Sequence, residues 1–157
     1  MPNHTYKLTL KWTGNTGSGT FNSGTYKREH KISAGLKPPI VGSSDPSFRG
    51  DKSKYNPEEL LVASLASCHM LWYLDLCTRE NIIVVDYVDY PVGVMQESGD
   101  KGGAFTEVVL APVVTVAEPH MVERAIQLHE RANSLCFIAN SVNFPVHHNP
   151  ICKILEM

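Results

Sequence analysis

The segment from Asn56 to Glu80 is apolar on almost every side and is long enough to form one continuous helix. Asn56 suits the N-cap, Pro57 suits the first helical position, and the two glutamates that follow favour the positive end of the helix dipole. The apolar side chains then cover nearly the whole circumference: Leu60, Leu61, Val62, Ala63, Leu65, Ala66, Cys68, Met70, Leu71, Trp72, Leu74, Leu76 and Cys77. A helix of this kind is buried on all sides. We therefore expect a sheet to curl around it and a second subunit to cover part of it.

The remaining secondary structure is mostly β. Alternating polar and apolar residues predict strands, and one further helix has an apolar stripe that continues to Cys136. In chain order these elements are two strands at His4–Trp12 and Tyr26–Ile32, a long hairpin of Ile82–Gln96 with Ala104–Ala117, a helix from Pro119, and a last strand within Pro145–Leu155. The order predicts a single domain over residues 1–157 with an α+β fold, in which antiparallel sheets wrap around long central helices.

Composition excludes several classes of function. Fourteen Lys and Arg against sixteen Asp and Glu leave a net charge of -2, so a basic surface for nucleic acid is not expected. The first residues alternate in polarity, unlike a signal peptide, and no later segment offers the unbroken apolar length of a membrane span. The sequence therefore predicts a cytoplasmic protein with no membrane partner. Its four cysteines are then available for chemistry, metal binding or packing.

Two segments carry the strongest chemical signal. One is the Asn-Pro-Glu-Glu-Leu start at Asn56, with Cys68 ten residues after Glu58, and the other is the segment Ala-Asn-Ser-Leu-Cys that ends at Cys136. Together they resemble the OsmC/Ohr family of organic hydroperoxide reductases, and the element order agrees over nearly the whole chain.

The resemblance implies an activity and its participants. Cys68 would be the peroxidatic nucleophile and Cys136 the resolving thiol, with a disulfide intermediate and without a cofactor. The implied partners are an organic hydroperoxide, a lipoyl-type or similar dithiol reductant, and a second copy of the chain in an intertwined homodimer. The apolar neighbours of Cys68 favour an alkyl or lipid hydroperoxide over hydrogen peroxide; they are Leu65, Met70, Leu71 and Trp72.

A thiolate in apolar surroundings needs a cation beside it. Family members place an arginine, paired with a glutamate, next to the reactive sulfur, and Glu58 occupies the matching glutamate position. Arg49, in the loop before the helix, is the first candidate for the arginine, although its neighbours align only with a shift, and Arg28 is the second. In an unbroken helix Glu58 and Cys68 are separated by roughly 15 Å along the axis. Either the helix breaks between them or Glu58 serves the site of a second subunit.

The other cysteines and histidines receive plainer interpretations. Cys77 and Cys152 are expected to be packing residues. His69 is expected to be a structural or pocket residue, and His129 a hydrogen-bonded core histidine. His147 and His148 carry no signal beyond packing or surface.

The sequence leaves two other functions open. Cys68, His69, Cys136, His147 and His148 would supply zinc ligands if they converged, although no C-x-x-C or H-x-x-x-H spacing supports a zinc site. Alternatively, the same scaffold would serve a binding protein or a thiol-dependent hydrolase, because one fold hosts several activities.

Overall fold

The computed structural model describes all 157 residues, which divide into two compact units, Met1–Leu60 and Leu61–Met157. The first unit contains an antiparallel sheet of three short strands in the order β1-β2-β3. These strands are β1 (Thr9–Trp12), β2 (His30–Ser33) and β3 (Ile40–Gly42). Both predicted N-terminal strands are therefore present but shorter than expected. Between them, Asn15 after β1 and Tyr26 before β2 form only an isolated bridge.

The apolar face of β1 and of the residues that precede it is uncovered. Leu10 is 71% exposed and Leu8 is 64% exposed, and the alternate side chains Tyr6 and Trp12 are also exposed. The alternation along this segment is the one expected for a strand with one buried face. The expectation that this face is half-buried is wrong for the single chain.

The long helix α1 (Pro57–Arg79) forms without a break, and its start is a capping box. The Glu59 N–H donates to Asn56 Oδ1 at 2.8 Å, and the Asn56 N–H donates to Glu59 Oε1 at 3.4 Å. After its last turn the chain passes through Asn81, whose φ of 58° is left-handed, and the Ile82 N–H donates to the Cys77 carbonyl at 2.9 Å. The predicted bounds of this helix are thus confirmed.

Burial of α1 differs from the expectation. Only one stripe is buried, formed by Leu65, His69, Tyr73, Leu76 and Cys77. The prediction of burial on all sides is therefore wrong within one chain. The helix is long and apolar enough to span a membrane, contrary to the expectation that no segment would be. The core helix of a globular domain has the same length and composition.

The second unit carries two three-stranded sheets, ordered β4-β7-β9 and β5-β6-β8. Its strands are β4 (Val84–Asp89), β5 (Val92–Glu97), β6 (Gly103–Leu110), β7 (Pro112–Val116), β8 (Val146–His148) and β9 (Ile151–Ile154). The predicted hairpin is confirmed by the antiparallel pairs β5 with β6 and β4 with β7. Each arm breaks into two strands, and the Ala111 N–H donates to Asp89 Oδ1 at 2.8 Å where they break.

The predicted last strand also splits in two. β8 and β9 are separated by Asn149 and Pro150, and proline lacks the N–H that would continue a ladder. β8 runs parallel to β6, and β9 runs parallel to β7. The chain therefore contributes one strand to each sheet on its way to the C-terminus.

The second helix, α2 (Val122–Leu135), follows a 3₁₀ turn at Pro119–Met121. Its buried residues are Ala125, Leu128, His129 and Ala132. Cys136, which follows the helix, is 1% exposed, so the prediction that it faces the core is confirmed. Ile126, expected on the apolar stripe, is 42% exposed instead, and Leu128 is buried in the core.

The two helices meet along an antiparallel ladder of polar contacts. The Tyr73 hydroxyl donates to the Ala125 carbonyl at 2.9 Å, and the ring of His69 is hydrogen-bonded to that of His129. Tyr73 on α1 thus contacts the earlier position on α2, and His69 on α1 contacts the later one, so the two helices run antiparallel. The candidate site lies at the end of α2, where Cys68 on α1 approaches Cys136.

Candidate active site

Cys68 and Cys136 lie side by side at the α1–α2 contact. Cys68 is half-buried on α1, Cys136 is buried at the residue after α2, and both are free thiols. The pKa of the Cys136 thiol is raised chiefly by burial, and Cys68 lies close enough to add to this effect. The two cysteines singled out in the sequence are thus brought together, although 67 residues lie between them in the chain.

The surroundings of Cys136 keep it protonated at neutral pH. Burial is the largest cause and raises the pKa of Cys136 to about 11. The backbone N–H of Ala139 donates to Cys136 Sγ at 3.4 Å, and this hydrogen bond lowers the pKa of the thiol in part. The sulfur is therefore a thiol held at a fixed place by the backbone that follows it.

An aromatic pair stands beside the two thiols. Trp72 comes one helical turn after Cys68, and Phe137 directly follows Cys136. Their rings meet edge to face with centroids 5.5 Å apart, and Phe137 is 68% exposed. The thiol pair is consequently flanked by apolar surface that is open to solvent in the single chain.

Arg49 lies at the end of a tight turn in the first unit. Asp45 caps this 3₁₀ turn by accepting the Ser47 N–H at 2.7 Å, and Arg49 closes it with a left-handed φ of 66°. At the next residue only glycine fits, because a Cβ on Gly50 would lie 1.6 Å from the Ser44 carbonyl oxygen. The Arg49 side chain is exposed and forms no ion pair with a carboxylate of its unit.

Arg28 is held within its own hairpin instead. Its guanidinium lies 4.1 Å from the centre of the Tyr26 ring and donates to the carbonyls of Ser23 and Tyr26, both at 2.8 Å. Arg28 lies before β2. The prediction that it lies on the inward face of that strand is therefore wrong. Of the two arginines considered, Arg49 is the one with an uncommitted side chain.

Glu58 lies in the first turn of α1, and its Oε2 is buried without a hydrogen-bond partner. Arg49 does not pair with it in the single chain, since the ion pairs of this unit join Lys54 to Glu29 and Asp51. The alternative in which the helix breaks between Glu58 and Cys68 is wrong, because α1 is continuous. Glu58 thus retains a free acceptor that a cation would satisfy.

The remaining cysteines belong to a different part of the core. Cys77 is fully buried in the cluster that contains Tyr73 and Leu128, and Cys152 packs against that cluster. Burial raises the pKa of Cys77 to about 11 and also raises the pKa of Cys152. Both positions are consistent with packing.

No three or more His, Cys, Asp or Glu side chains are arranged to hold a metal ion. His147 faces Glu107, with 3.8 Å between Nε2 and Oε2, and His148 faces Glu130 at 3.4 Å. The histidines of β8 therefore do not converge with the thiols as the zinc alternative requires.

The chain has clear relatives among solved structures. An OsmC-like protein of unknown function from Vibrio cholerae is 28% identical and superposes with a TM-score of 0.84, over 95% of this chain and 100% of the other. An organic hydroperoxide resistance protein from Elizabethkingia anophelis, with thiocyanate bound, is 15% identical with a TM-score of 0.68 over 98% and 100%. A Legionella pneumophila organic hydroperoxide resistance protein is also 15% identical, with a TM-score of 0.65 over 98% and 99%.

Because the two hydroperoxide resistance proteins are only 15% identical to this chain, their similarity shows that the fold is shared and nothing more. No curated protein matches the sequence. The family model for OsmC-like protein, however, matches residues 50–150, which include α1, both hairpin arms, α2 and both candidate thiols. The chain therefore belongs to the OsmC-like protein family.

Proposed function

We propose that this chain is a cysteine-based peroxidase that reduces organic hydroperoxides, with Cys68 as the peroxidatic residue and Cys136 as the resolving residue. The observation that carries the proposal is the proximity of two free thiols, one on α1 and one at the residue after α2. Two structural relatives are named organic hydroperoxide resistance proteins, which is in keeping with this activity.

The proposed reaction uses both thiols in turn. The Cys68 sulfur attacks the hydroperoxide, the O–O bond breaks, and an alcohol leaves while the sulfur becomes a sulfenic acid. The Cys136 thiol then attacks that sulfur, which forms a disulfide and releases water. A cellular dithiol, of lipoyl type or similar, reduces the disulfide by exchange. The site needs no cofactor, and the reduced thiols it requires fit the cytoplasm.

An apolar substrate fits this site better than hydrogen peroxide. The aromatic pair of Trp72 and Phe137 offers exposed ring surface next to the sulfurs. Burying such surface against an alkyl or aryl group is favourable by about 25 cal/mol per Å². Hydrogen peroxide has no apolar part and gains nothing from this contact.

The activity predicts a measurable loss of thiols. Adding an excess of cumene hydroperoxide to the fully reduced protein should remove two of its four thiols, because Cys68 and Cys136 join in a disulfide. Thiol titration and mass spectrometry of the digested protein measure the outcome. Hydrogen peroxide at the same concentration should act more slowly. If all the thiols stay free, a binding protein or hydrolase on the OsmC-like scaffold becomes the better interpretation.

We further propose that the functional form is a homodimer in which Arg49 and Glu58 contribute to a site shared between subunits. Arg49 is exposed and unpaired in its unit, and the Glu58 carboxylate has a buried oxygen without a partner. A guanidinium brought next to a carboxylate and a thiolate would stabilise both negative charges. The uncovered sides of α1 and the apolar row on β1 supply surface for the second copy.

Leu10→Lys should therefore weaken the dimer. The substitution places a charge on the exposed apolar row of β1, and burying an unpaired charge at an interface is unfavourable. Thr9→Lys is the matched control, because it adds the same charge to the opposite face of the same strand. Analytical ultracentrifugation should give a dissociation constant raised at least about ten-fold for Leu10→Lys, whereas Thr9→Lys should stay close to the parent. Equal effects of the two variants would exclude this row from the interface.

A further inference from the structure

The six residues from Cys136 to Ser141 form a tight turn directly after α2, which we call the resolving turn. Its backbone folds back on Cys136 twice. The Ala139 N–H donates to Cys136 Sγ at 3.4 Å, and the Asn140 N–H donates to the Cys136 carbonyl at 3.0 Å. The Ser141 hydroxyl closes the turn by donating to the Phe137 carbonyl at 2.6 Å. The resolving sulfur is therefore held by the residues that follow it.

One side chain ties the resolving turn to the end of α2. Asn140 Nδ2 donates to the Ser134 carbonyl at 3.2 Å. Ser134 lies in the last turn of the helix, where carbonyl groups lack an N–H partner further along the helix. Asn140 thus bonds with its backbone to Cys136 and with its side chain to the helix, on the other side of Cys136 in the chain.

The resolving turn is also fixed against α1, the helix that carries Cys68. Ile138 and Ala139 pack against the apolar cluster that contains Leu65. Leu65 lies on α1 less than one turn before Cys68. The apolar contacts of the turn therefore connect it to one helix, and its polar contacts connect it to the other. Together they fix where the Cys136 sulfur lies relative to Cys68.

Disulfide formation depends steeply on such placement. Two cysteines form a disulfide only when their Cα atoms lie roughly 4.4 to 6.8 Å apart and their Cβ atoms point towards each other. A thiol that is already held in this arrangement acts at a high effective concentration, because little freedom remains to be lost when the bond forms. Loosening the resolving turn should lower that effective concentration without removing the sulfur.

We propose that Asn140 is a positioning residue for the resolving step, because it holds the resolving turn on α2 and so keeps the Cys136 sulfur within reach of Cys68. The inference rests on the peroxidase proposed above and deepens it. It assigns a role in the reaction to an exposed side chain that acts through the backbone around the buried thiol.

The step that Asn140 serves is the condensation that follows peroxide reduction. The Cys136 thiol attacks the Cys68 sulfenic acid, an S–S bond forms, and the S–O bond breaks. The leaving hydroxide takes the thiol proton and departs as water, so no further reactant is required. A second hydroperoxide competes for the same sulfenic acid and oxidises it to a sulfinic acid, with an alcohol as the other product. Slow condensation therefore exposes Cys68 to inactivation.

The first test measures how strongly the two thiols favour the disulfide, and it uses no peroxide. The reduced protein is equilibrated with mixtures of reduced and oxidised glutathione, and the Cys68–Cys136 disulfide is quantified by mass spectrometry after acid quenching. Asn140→Ala should lower the equilibrium constant for this disulfide about five-fold, the effect of losing one hydrogen bond. The reduction potential should rise by about 20 mV, which is that change converted for two electrons. Asn140→Gln keeps an amide donor and should recover part of the loss.

Asn143→Ala is the matched control, because Asn143 is an exposed asparagine two residues beyond the resolving turn. Its glutathione equilibrium should match that of the parent. Ser141→Ala removes the hydroxyl that closes the turn and should act in the same direction as Asn140→Ala. Circular dichroism identifies any variant that fails to fold, and Ser141→Ala keeps the test decisive if Asn140→Ala is one of them.

The second test follows the fate of the sulfenic acid. With excess cumene hydroperoxide and no reductant, the fraction of Cys68 recovered as sulfinic acid should be about five-fold larger in Asn140→Ala than in the parent. Mass spectrometry of the Cys68 peptide measures this fraction. Asn143→Ala should give the fraction found in the parent.

Three results would overturn the proposal. They are a parent-like glutathione equilibrium in folded Asn140→Ala, an equal loss in Asn140→Ala and Asn143→Ala, and an unchanged sulfinic fraction in Asn140→Ala while the parent forms its disulfide with peroxide. If Asn140→Ala weakens the disulfide in glutathione while hydroperoxide leaves the thiols free, the positioning role stands and the peroxidase proposal alone fails.

Discussion

Replacing Cys68 by serine should lower the rate of organic hydroperoxide reduction by about a thousand-fold or more. A serine hydroxyl remains protonated where a thiol ionises, and it does not form a stable oxidised state equivalent to a sulfenic acid. Steady turnover with a dithiol such as dihydrolipoate measures the loss. The Cys68 side chain is half-buried and the substitution changes one atom, so the helix should keep its fold.

Cys136→Ser should give a different result from Cys68→Ser. The first step remains possible, so one equivalent of hydroperoxide should be reduced and the sulfenic acid at Cys68 should persist, because no thiol lies beside it to condense. Labelling with dimedone followed by mass spectrometry detects this species. In the parent protein the label should be almost absent, since Cys136 contacts Cys68.

Cys77→Ser and Cys152→Ser are the controls for both variants, because these sulfurs lie in another part of the core. They should turn over hydroperoxide at close to the parent rate, although burying a hydroxyl in place of the Cys77 thiol should reduce stability. Retention of activity in Cys68→Ser would contradict the assignment of the nucleophile. Loss of activity in Cys152→Ser as large as in Cys68→Ser would indicate that the wrong pair has been chosen.

Local sequence signals were sufficient to predict α1 and the buried position of Cys136. The Asn-Pro-Glu-Glu start encodes a capping box, which depends only on neighbouring residues, and the structure forms it between Asn56 and Glu59. The stripe on α2 likewise depends on spacing within one helix. The pairing of Cys68 with Cys136 came from the family resemblance, since no local pattern relates residues on separate helices.

Features that depend on tertiary contacts were missed. The apolar residues on α1 and β1 were expected to be buried, but hydrophobicity does not specify what covers a side chain, and Leu71 is 63% exposed in the single chain. The meeting of His69, His129 and His148 was missed for a similar reason. His69 and His129 are 60 positions apart, and His148 comes from a strand that breaks at Pro150, so their meeting depends on the whole fold of the second unit.

Acid should destabilise the protein steeply between about pH 6.5 and about pH 4, a window set by the buried histidines. Burial lowers the pKa of His69 from 6.5 to about 4, with the charge of His148 as the second cause. Burial likewise lowers the pKa of His129 from 6.5 to about 3, with the charges of His69 and His148 adding to the effect. Between these pH values the two histidines bind protons in the unfolded chain but remain neutral in the folded chain.

The sign and size follow from proton linkage. Above pH 6.5 both histidines are neutral in both states, so their contribution to stability is complete and constant. As the pH falls below this value the unfolded state is favoured by about 1.4 kcal/mol per pH unit for each group, or roughly 3 kcal/mol per unit for the pair. The loss of stability levels off only when the pH falls to the pKa values of the folded protein, where His69 and His129 bind protons in the folded state too. The lowered pKa of Asp51, held chiefly by Lys54, acts only below its ordinary value of 3.8.

Urea unfolding of the reduced protein at a series of pH values measures this slope. His129→Gln removes one of the two titrating groups, so its free energy of unfolding should start lower at pH 7 but fall only about half as steeply with acid. His120→Gln, at an exposed position in the 3₁₀ turn before α2, is the control and should keep the parent slope. A free energy of unfolding that is flat between pH 6.5 and pH 4 would mean that the two histidines are not buried in the native protein. A slope that is unchanged in His129→Gln would assign the acid sensitivity to another group. Asp89 is not that group, because its raised pKa acts in the opposite direction.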